Sequence, residues 1–143
     1  MTRAPVRRIL GLAVACLILG APRTLAQNEL EKAVERARAA WLDHDVEALV
    51  ANSDTVRLRL PGVRSASLRP GQAARLLDRY LKPSQERTFA LVEVRQLAED
   101  HAYAEVARRY VVRGTDEERE ETVFLGFRFL DGRWRLREVN VTP

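Results

Sequence analysis

Cysteine is all but missing from this chain. The single one, Cys16, lies among the first 26 residues, so everything after them has no disulfide, no thiolate metal ligand and no cysteine nucleophile. Histidine is nearly as scarce: His44 and His101 are far apart, and neither has a second His or Cys at ligand spacing. A zinc site is therefore not expected, and no metal or other cofactor is implied. Each histidine sits beside acids, in Asp43-His44-Asp45 and Glu99-Asp100-His101, which reads as a solvated turn. No apolar run reaches the roughly 20 residues that span a bilayer, so no transmembrane segment is expected. The glycine spacing of a phosphate-binding loop is missing too. Gly62 and Gly71 are too far apart, and Gln72-Ala73 stands where Lys-Ser/Thr is needed.

What the first 26 residues do contain is ordered. A basic start, MTRAPVRR, precedes the apolar stretch from Ile9 to Ala21, and Thr24-Leu25-Ala26 offers small residues at the positions before a cleavage point. That order is the signature of a secretory signal peptide over 1–26, followed by a single domain over 27–143 that is periplasmic or secreted. Lipoprotein processing is the rival reading, because Cys16 follows Ala13-Val14-Ala15, although the apolar run continues past it. The leader also carries the chain's surplus charge. It holds Arg3, Arg7, Arg8 and Arg23 and no acid, so that the 24 Lys and Arg fall to 20 beyond it, against 20 Asp and Glu. A neutral domain argues against a nucleic-acid partner, since phosphate neutralisation supplies most of such affinity.

Beyond the leader the apolar period switches once. Asn28 with Glu31 reads as a helix cap, and Leu30, Val34, Ala37 and Trp41 follow at helical spacing to near Leu42. Asp45 caps a second short helix with Val46, Leu49 and Val50 inward. Val56, Leu58 and Leu60 alternate with Arg57 and Arg59 as a strand closed by Pro61-Gly62. After a Gly/Ser/Arg loop, Ala73, Leu76, Leu77, Tyr80 and Leu81 mark a third helix, with Pro70 in its first turn. Strands are then expected over 88–97, 102–112, 122–130 and 134–141, with Asp131-Gly132 as a hairpin turn. The expected class is α+β: three N-terminal helices packed on one face of a curved antiparallel sheet.

This arrangement resembles the nuclear transport factor 2-like, cone-shaped (cystatin-like) superfamily, which includes steroid delta-isomerases and SnoaL-type cyclases. The resemblance rests on the helical pair around Trp41 to Leu49 and on the ending Asp131-Gly132-Arg133-Trp134-Arg135-Leu136. Within it, Val56 to Gly62, the Gln72-Ala73 helix start and Trp134 to Thr142 are most similar to the bacterial domain-of-unknown-function family 4783. That family usually has a Ser where Arg69 stands, which leaves Ser67 as the nearest substitute cap. The residues that steroid isomerases use are not evident here: the first helix carries Trp41 rather than a Tyr, and no Asp follows Pro61-Gly62.

Candidate site residues come from a contradiction in the alternation. On the last strand Trp134 and Leu136 share parity with Glu138 and Asn140, whereas Val139 and Val141 would point outward. Either a β-bulge near Arg137 reverses the phase, or Glu138 and Asn140 enter the interior beside Trp134. Arg108 shares parity with Val106 and Tyr110 and would then meet Glu138. Arg108, Tyr110, Trp134 and Glu138 are the candidate ligand-binding pocket. No catalytic residue is assigned. The first expectation is an exported, non-catalytic domain that binds a small ligand or protein partner through its cone or sheet face, as a homodimer. The alternatives are an isomerase, hydratase or cyclase using Glu138, and an envelope-adhesion module using Arg57, Arg59, Arg64, Arg69, Arg75 and Arg79.

Overall fold

The computed structural model describes residues 24–143. The leader expected over 1–26 therefore lies outside the described residues, apart from its last three. Three helices, α1 (Leu25–Leu42), α2 (Val46–Val50) and α3 (Pro70–Leu81), share one hydrophobic core with a six-stranded sheet. The strands are β1 (Val56–Leu60), β2 (Val63–Leu68), β3 (Ser84–Ala98), β4 (His101–Val112), β5 (Glu118–Leu130) and β6 (Arg133–Thr142). Among the described residues, no helix is long and apolar enough to cross a membrane.

Helix α1 starts a turn earlier than Asn28. Gln27 N–H donates to Thr24 Oγ1 at 3.3 Å and Thr24 N–H donates to Gln27 Oε1 at 3.0 Å, a capping box that satisfies two otherwise orphan donors. Its inward stripe is Leu30, Ala33, Val34, Ala37, Ala40 and Trp41. The chain reverses through His44, held at φ 52°, and Asp45 Oδ1 accepts from Ala48 N–H at 3.0 Å to start α2 as expected. Arg69, not Ser67, occupies the cap position of α3. Gln72 Oε1 accepts from its N–H at 3.3 Å, while Ser67 is paired in β2 opposite Arg57.

The strand order is β2-β1-β6-β5-β4-β3, and the β1–β6 pair is parallel, so the sheet is mixed rather than antiparallel. Alternation reveals that a strand exists but not its neighbour; the first strand joins the last only through the whole chain between them. The Gly/Ser/Arg loop is itself strand β2, folded back on β1 through Pro61 and Gly62, whose φ of 79° suits the turn. Asp131 and Gly132, both at positive φ (52° and 75°), make the expected β5–β6 hairpin.

The inner face of the sheet buries Val56, Leu58, Leu60, Val106, Val123, Leu125, Trp134 and Leu136 against the helices. Trp134 packs at 5.3 Å from Phe129, and its Nε1–H donates to Ala26 O at 3.3 Å. The contradiction on β6 is resolved by a bulge. Gly126 pairs with Glu138 but Phe127 pairs with Leu136, leaving Arg137 as the extra residue. Val139 (0% exposed) and Val141 (7%) are thereby turned inward with Trp134 and Leu136.

Candidate functional site

The inner face of β4 changes character along its length. Ala102, Ala104 and Val106 are small and apolar, and the next two inward positions are Arg108 and Tyr110. Arg108 is 1% exposed, so its guanidinium needs both counter-charge and hydrogen bonds inside the protein. Glu86, from the start of β3, supplies one side: Arg108 Nε donates to Glu86 Oε2 at 3.0 Å and Nη2 donates to Oε1 at 2.5 Å. On the other side Nη1 donates to Tyr80 Oη at 2.9 Å and to Glu121 Oε2 at 3.1 Å.

The cluster closes on itself. Tyr80 Oη–H donates to Glu121 Oε2, and Tyr110 Oη–H donates to Glu121 Oε1 at 2.7 Å. The guanidinium carbon lies 3.9 Å from the Tyr110 ring centre and 5.3 Å from those of Tyr80 and Trp41. Trp41 in turn stacks on Phe89 with the centroids 4.8 Å apart. His44, expected as a solvated turn, is instead half-buried at the rim with Nε2 3.1 Å from Glu86 Oε1. Trp41 Nε1 is the one buried nitrogen of this cluster without a partner.

These surroundings shift the titrations. Burial pushes the Tyr80 hydroxyl well above its ordinary range, and its donation to Glu121 adds to the rise; Tyr110 moves the same way for the same two reasons. For Arg108, burial works against the cation, but the hydrogen bond and charge of Glu86, then Tyr80 and Glu121, outweigh it and hold the group above its usual value. All four carboxylate oxygens of Glu86 and Glu121 already accept hydrogen bonds. A substrate proton would have to displace one of them.

Of the four residues expected to form a pocket, the structure brings Arg108 and Tyr110 together, and it separates the other two. Trp134 is 5% exposed on the inner face, packed on Phe129 and not in contact with the guanidinium cluster. Glu138 is on the opposite, outer face, where the bulge at Arg137 puts it; it lies 3.6 Å from Arg59 Nε and does not meet Arg108. The residues missed were Tyr80, counted as part of an apolar helix stripe, Glu121, in an acidic pair with Glu120 that could answer arginine charges anywhere in the protein, and Glu86, before the start of the expected strand. For Glu121 a signal existed: it shares parity with Val123, Leu125 and Phe127, all buried.

The outer face carries the second feature, a groove of about 600 Å³. Across the sheet, strand pairing sets Tyr103 on β4 opposite Gly126 on β5, Gly126 opposite Glu138 on β6, and Glu138 opposite Arg57 on β1. Gly126 leaves the centre of this row bare, and a methyl group there would come within 3.2 Å of Glu138 Cβ. Tyr103 and Phe124 meet edge to face at 6.2 Å and form one wall. Arg57 and Arg137 line the groove, and neither has a carboxylate partner among the described residues. Arg128, also lining it, is 3.7 Å from Asp100. Asp100 itself is held below the usual carboxylate range by its hydrogen bond from His101, 2.7 Å away.

The six arginines expected to form one adhesive patch are divided. Arg57 and Arg59 are exposed on the outer face of β1, and Arg59 faces Glu138. Arg75 and Arg79 are exposed on α3, whose buried residues pack on the other side of the sheet.

Neither the protein-family models nor the curated proteins give a match to this chain. Solved structures do, and they share the nuclear transport factor 2-like fold, as the sequence resemblance implied. A ketosteroid isomerase-like protein from Erwinia carotovora atroseptica is 18% identical with a TM-score of 0.67, over 81% of this chain and 96% of that one. A protein of domain-of-unknown-function family 4783 from Bacteroides uniformis is 11% identical with a TM-score of 0.60, over 75% and 93%. A ketosteroid isomerase-like fold from Catenulispora acidiphila, in complex with trimethylamine, is 12% identical with a TM-score of 0.62, over 78% and 85%.

Proposed function

We propose that the chain is an exported, non-catalytic domain that binds a small molecule on the outer face of its sheet. The observation that carries this reading is the filled interior. Arg108 buries its guanidinium in the interior, and Glu86, Glu121, Tyr80 and Tyr110 are all engaged with it or with one another. The outer groove offers the opposite: an aromatic wall, no side chain at Gly126, and Arg57 and Arg137, which have no carboxylate partner among the described residues. Fold alone does not assign chemistry, and Glu138, the carboxylate on which an isomerase, hydratase or cyclase reading depended, faces that groove rather than the interior.

Amide and side-chain NMR mapping with a panel of small carboxylates, amines, zwitterions and steroids tests the reading. Shifts are expected at Tyr103, Phe124 and Gly126; shifts confined to Tyr80, Arg108 and Tyr110 would overturn it. Export rests on the order of residues 1–26, and N-terminal sequencing of periplasmic material is expected to begin at Gln27. A second copy of the chain is the proposed protein partner, through the sheet-edge strand β3, where Leu91, Val92 and Leu97 are exposed. Antiparallel pairing about Val94 sets Glu93 of one copy against Arg95 of the other. Sedimentation is expected to give a dimer that Val94→Pro breaks, and a monomer at all concentrations would contradict this.

A further inference from the structure

We infer that the outer groove takes a small zwitterion with an aromatic body, an α-amino acid such as phenylalanine in chemical class; the inference rests on the outer face being the binding face. The row across the sheet carries it. Tyr103, Gly126, Glu138 and Arg57 stand opposite one another on four successive strands. Neighbouring strands lie about 4.8 Å apart, so the row is about as long as an extended aromatic amino acid once the long side chains at its ends lean inward.

Each part of the row has one complementary chemistry. Tyr103 and Phe124, edge to face at 6.2 Å, present an aromatic wall on which a ring packs. Gly126 has no side chain, and it lines the groove together with that wall and with Glu138. Glu138 is 34% exposed and its one ion pair among the described residues, to Arg59, is long at 3.6 Å, which leaves it able to accept from an ammonium group. Arg57 and Arg137 flank it in chain and in register, without carboxylate partners among the described residues. They are placed to receive a carboxylate.

The alternating signs exclude simpler ligands. A plain aromatic carboxylate would meet Arg57 and Arg137 but bring no cation to Glu138, and a plain amine would meet Glu138 but leave Arg57 and Arg137 unanswered. A zwitterion with both charges on one carbon meets all three groups together. The aromatic wall then selects among zwitterions for a ring-bearing one.

The test is a set of NMR titrations of the protein at low salt with L-phenylalanine, 3-phenylpropanoate and phenethylamine, followed at Tyr103, Phe124 and Gly126. L-phenylalanine is expected to bind in the groove about ten-fold or more tightly than either single-charge analogue, as loss of a charge-assisted hydrogen bond requires. Glu138→Gln is expected to weaken L-phenylalanine while leaving 3-phenylpropanoate no weaker, and Arg137→Gln to do the converse with phenethylamine; both positions are on the solvent side of the sheet. If 3-phenylpropanoate or phenethylamine binds at the groove as tightly as L-phenylalanine, the zwitterion assignment is wrong and the binding face stands. If shifts fall on Tyr80, Arg108 and Tyr110 instead, the binding face itself is wrong, and so is this inference. No shift anywhere at millimolar L-phenylalanine also rejects it.

Discussion

One sheet presents arginines on both faces, and they do opposite things. On the inner face Arg108 is 1% exposed and its donors go to Glu86, Glu121 and Tyr80. On the outer face Arg57 and Arg137 line a groove without a carboxylate partner among the described residues. The first kind completes the protein; the second is available to something else. A buried charge is a poor marker of a binding site when its partners are already present, whereas a partly exposed one beside an aromatic wall and a missing side chain is a better marker.

The sharpest way to break the comparison is to remove each arginine. Arg108→Met leaves Glu86 and Glu121 buried without their shared cation and is expected to destabilise the fold by about 3–5 kcal/mol, read from urea denaturation. Arg137→Gln, by the same assay, is expected to stay within about 0.5 kcal/mol. Similar losses for the two would erase the distinction between the faces.

Next in size is a pH effect peculiar to the inner face. Tyr80 is held protonated by burial and by Glu121, so its folded-state value lies above the unfolded 10.0. Its contribution is whole below about pH 10 and is lost as pH rises further, by up to about 1.4 kcal/mol per pH unit. Tyr80→Phe is expected to be less stable at neutral pH and to show a flatter decline above pH 10, measured as the urea midpoint against pH.

A smaller effect concerns the end of α1. A chain beginning at Gln27 lacks the Thr24 cap and the Ala26 carbonyl that accepts from Trp134. Compared with a chain beginning at Thr24 it is expected to lose about 1 kcal/mol, with Asn28 taking over as the cap; calorimetry of the two checks this. The smallest effect belongs to the groove's centre. Gly126→Ala puts a methyl 3.2 Å from Glu138 Cβ, expected to cost about 1 kcal/mol or less and to weaken ligand binding far more than it lowers the melting temperature.

Much of this architecture was readable because apolar periodicity reports burial directly. The three helices, the Asp131-Gly132 hairpin and the two possible phases of β6 followed from spacing alone. Strand β2 was hidden because Arg64, Ser65, Ala66 and Ser67 resemble a loop in composition, although they alternate weakly in burial. The parallel β1–β6 pair was hidden because pairing across the whole chain leaves no local mark. The site was harder still. Arg108 and Tyr110 were found by parity, but Glu86 precedes an irregular step between Glu86 and Thr88, and Tyr80 reads as a core aromatic on α3. The face of Glu138 was left open between two phases, because spacing does not show whether a bulge residue, here Arg137, inverts everything after it.

The central claim, an interior closed by its own ion pairs, is tested most directly by hydrogen exchange at the arginine Nε protons, read by ¹⁵N NMR in the ligand-free protein. Arg108 is expected to exchange many times more slowly than Arg57 or Arg137, because its Nε–H is engaged with Glu86 and excluded from water. An Arg108 Nε proton that exchanges as fast as those of the outer face would mean that the interior opens to solvent, and the filled-cone account would be wrong.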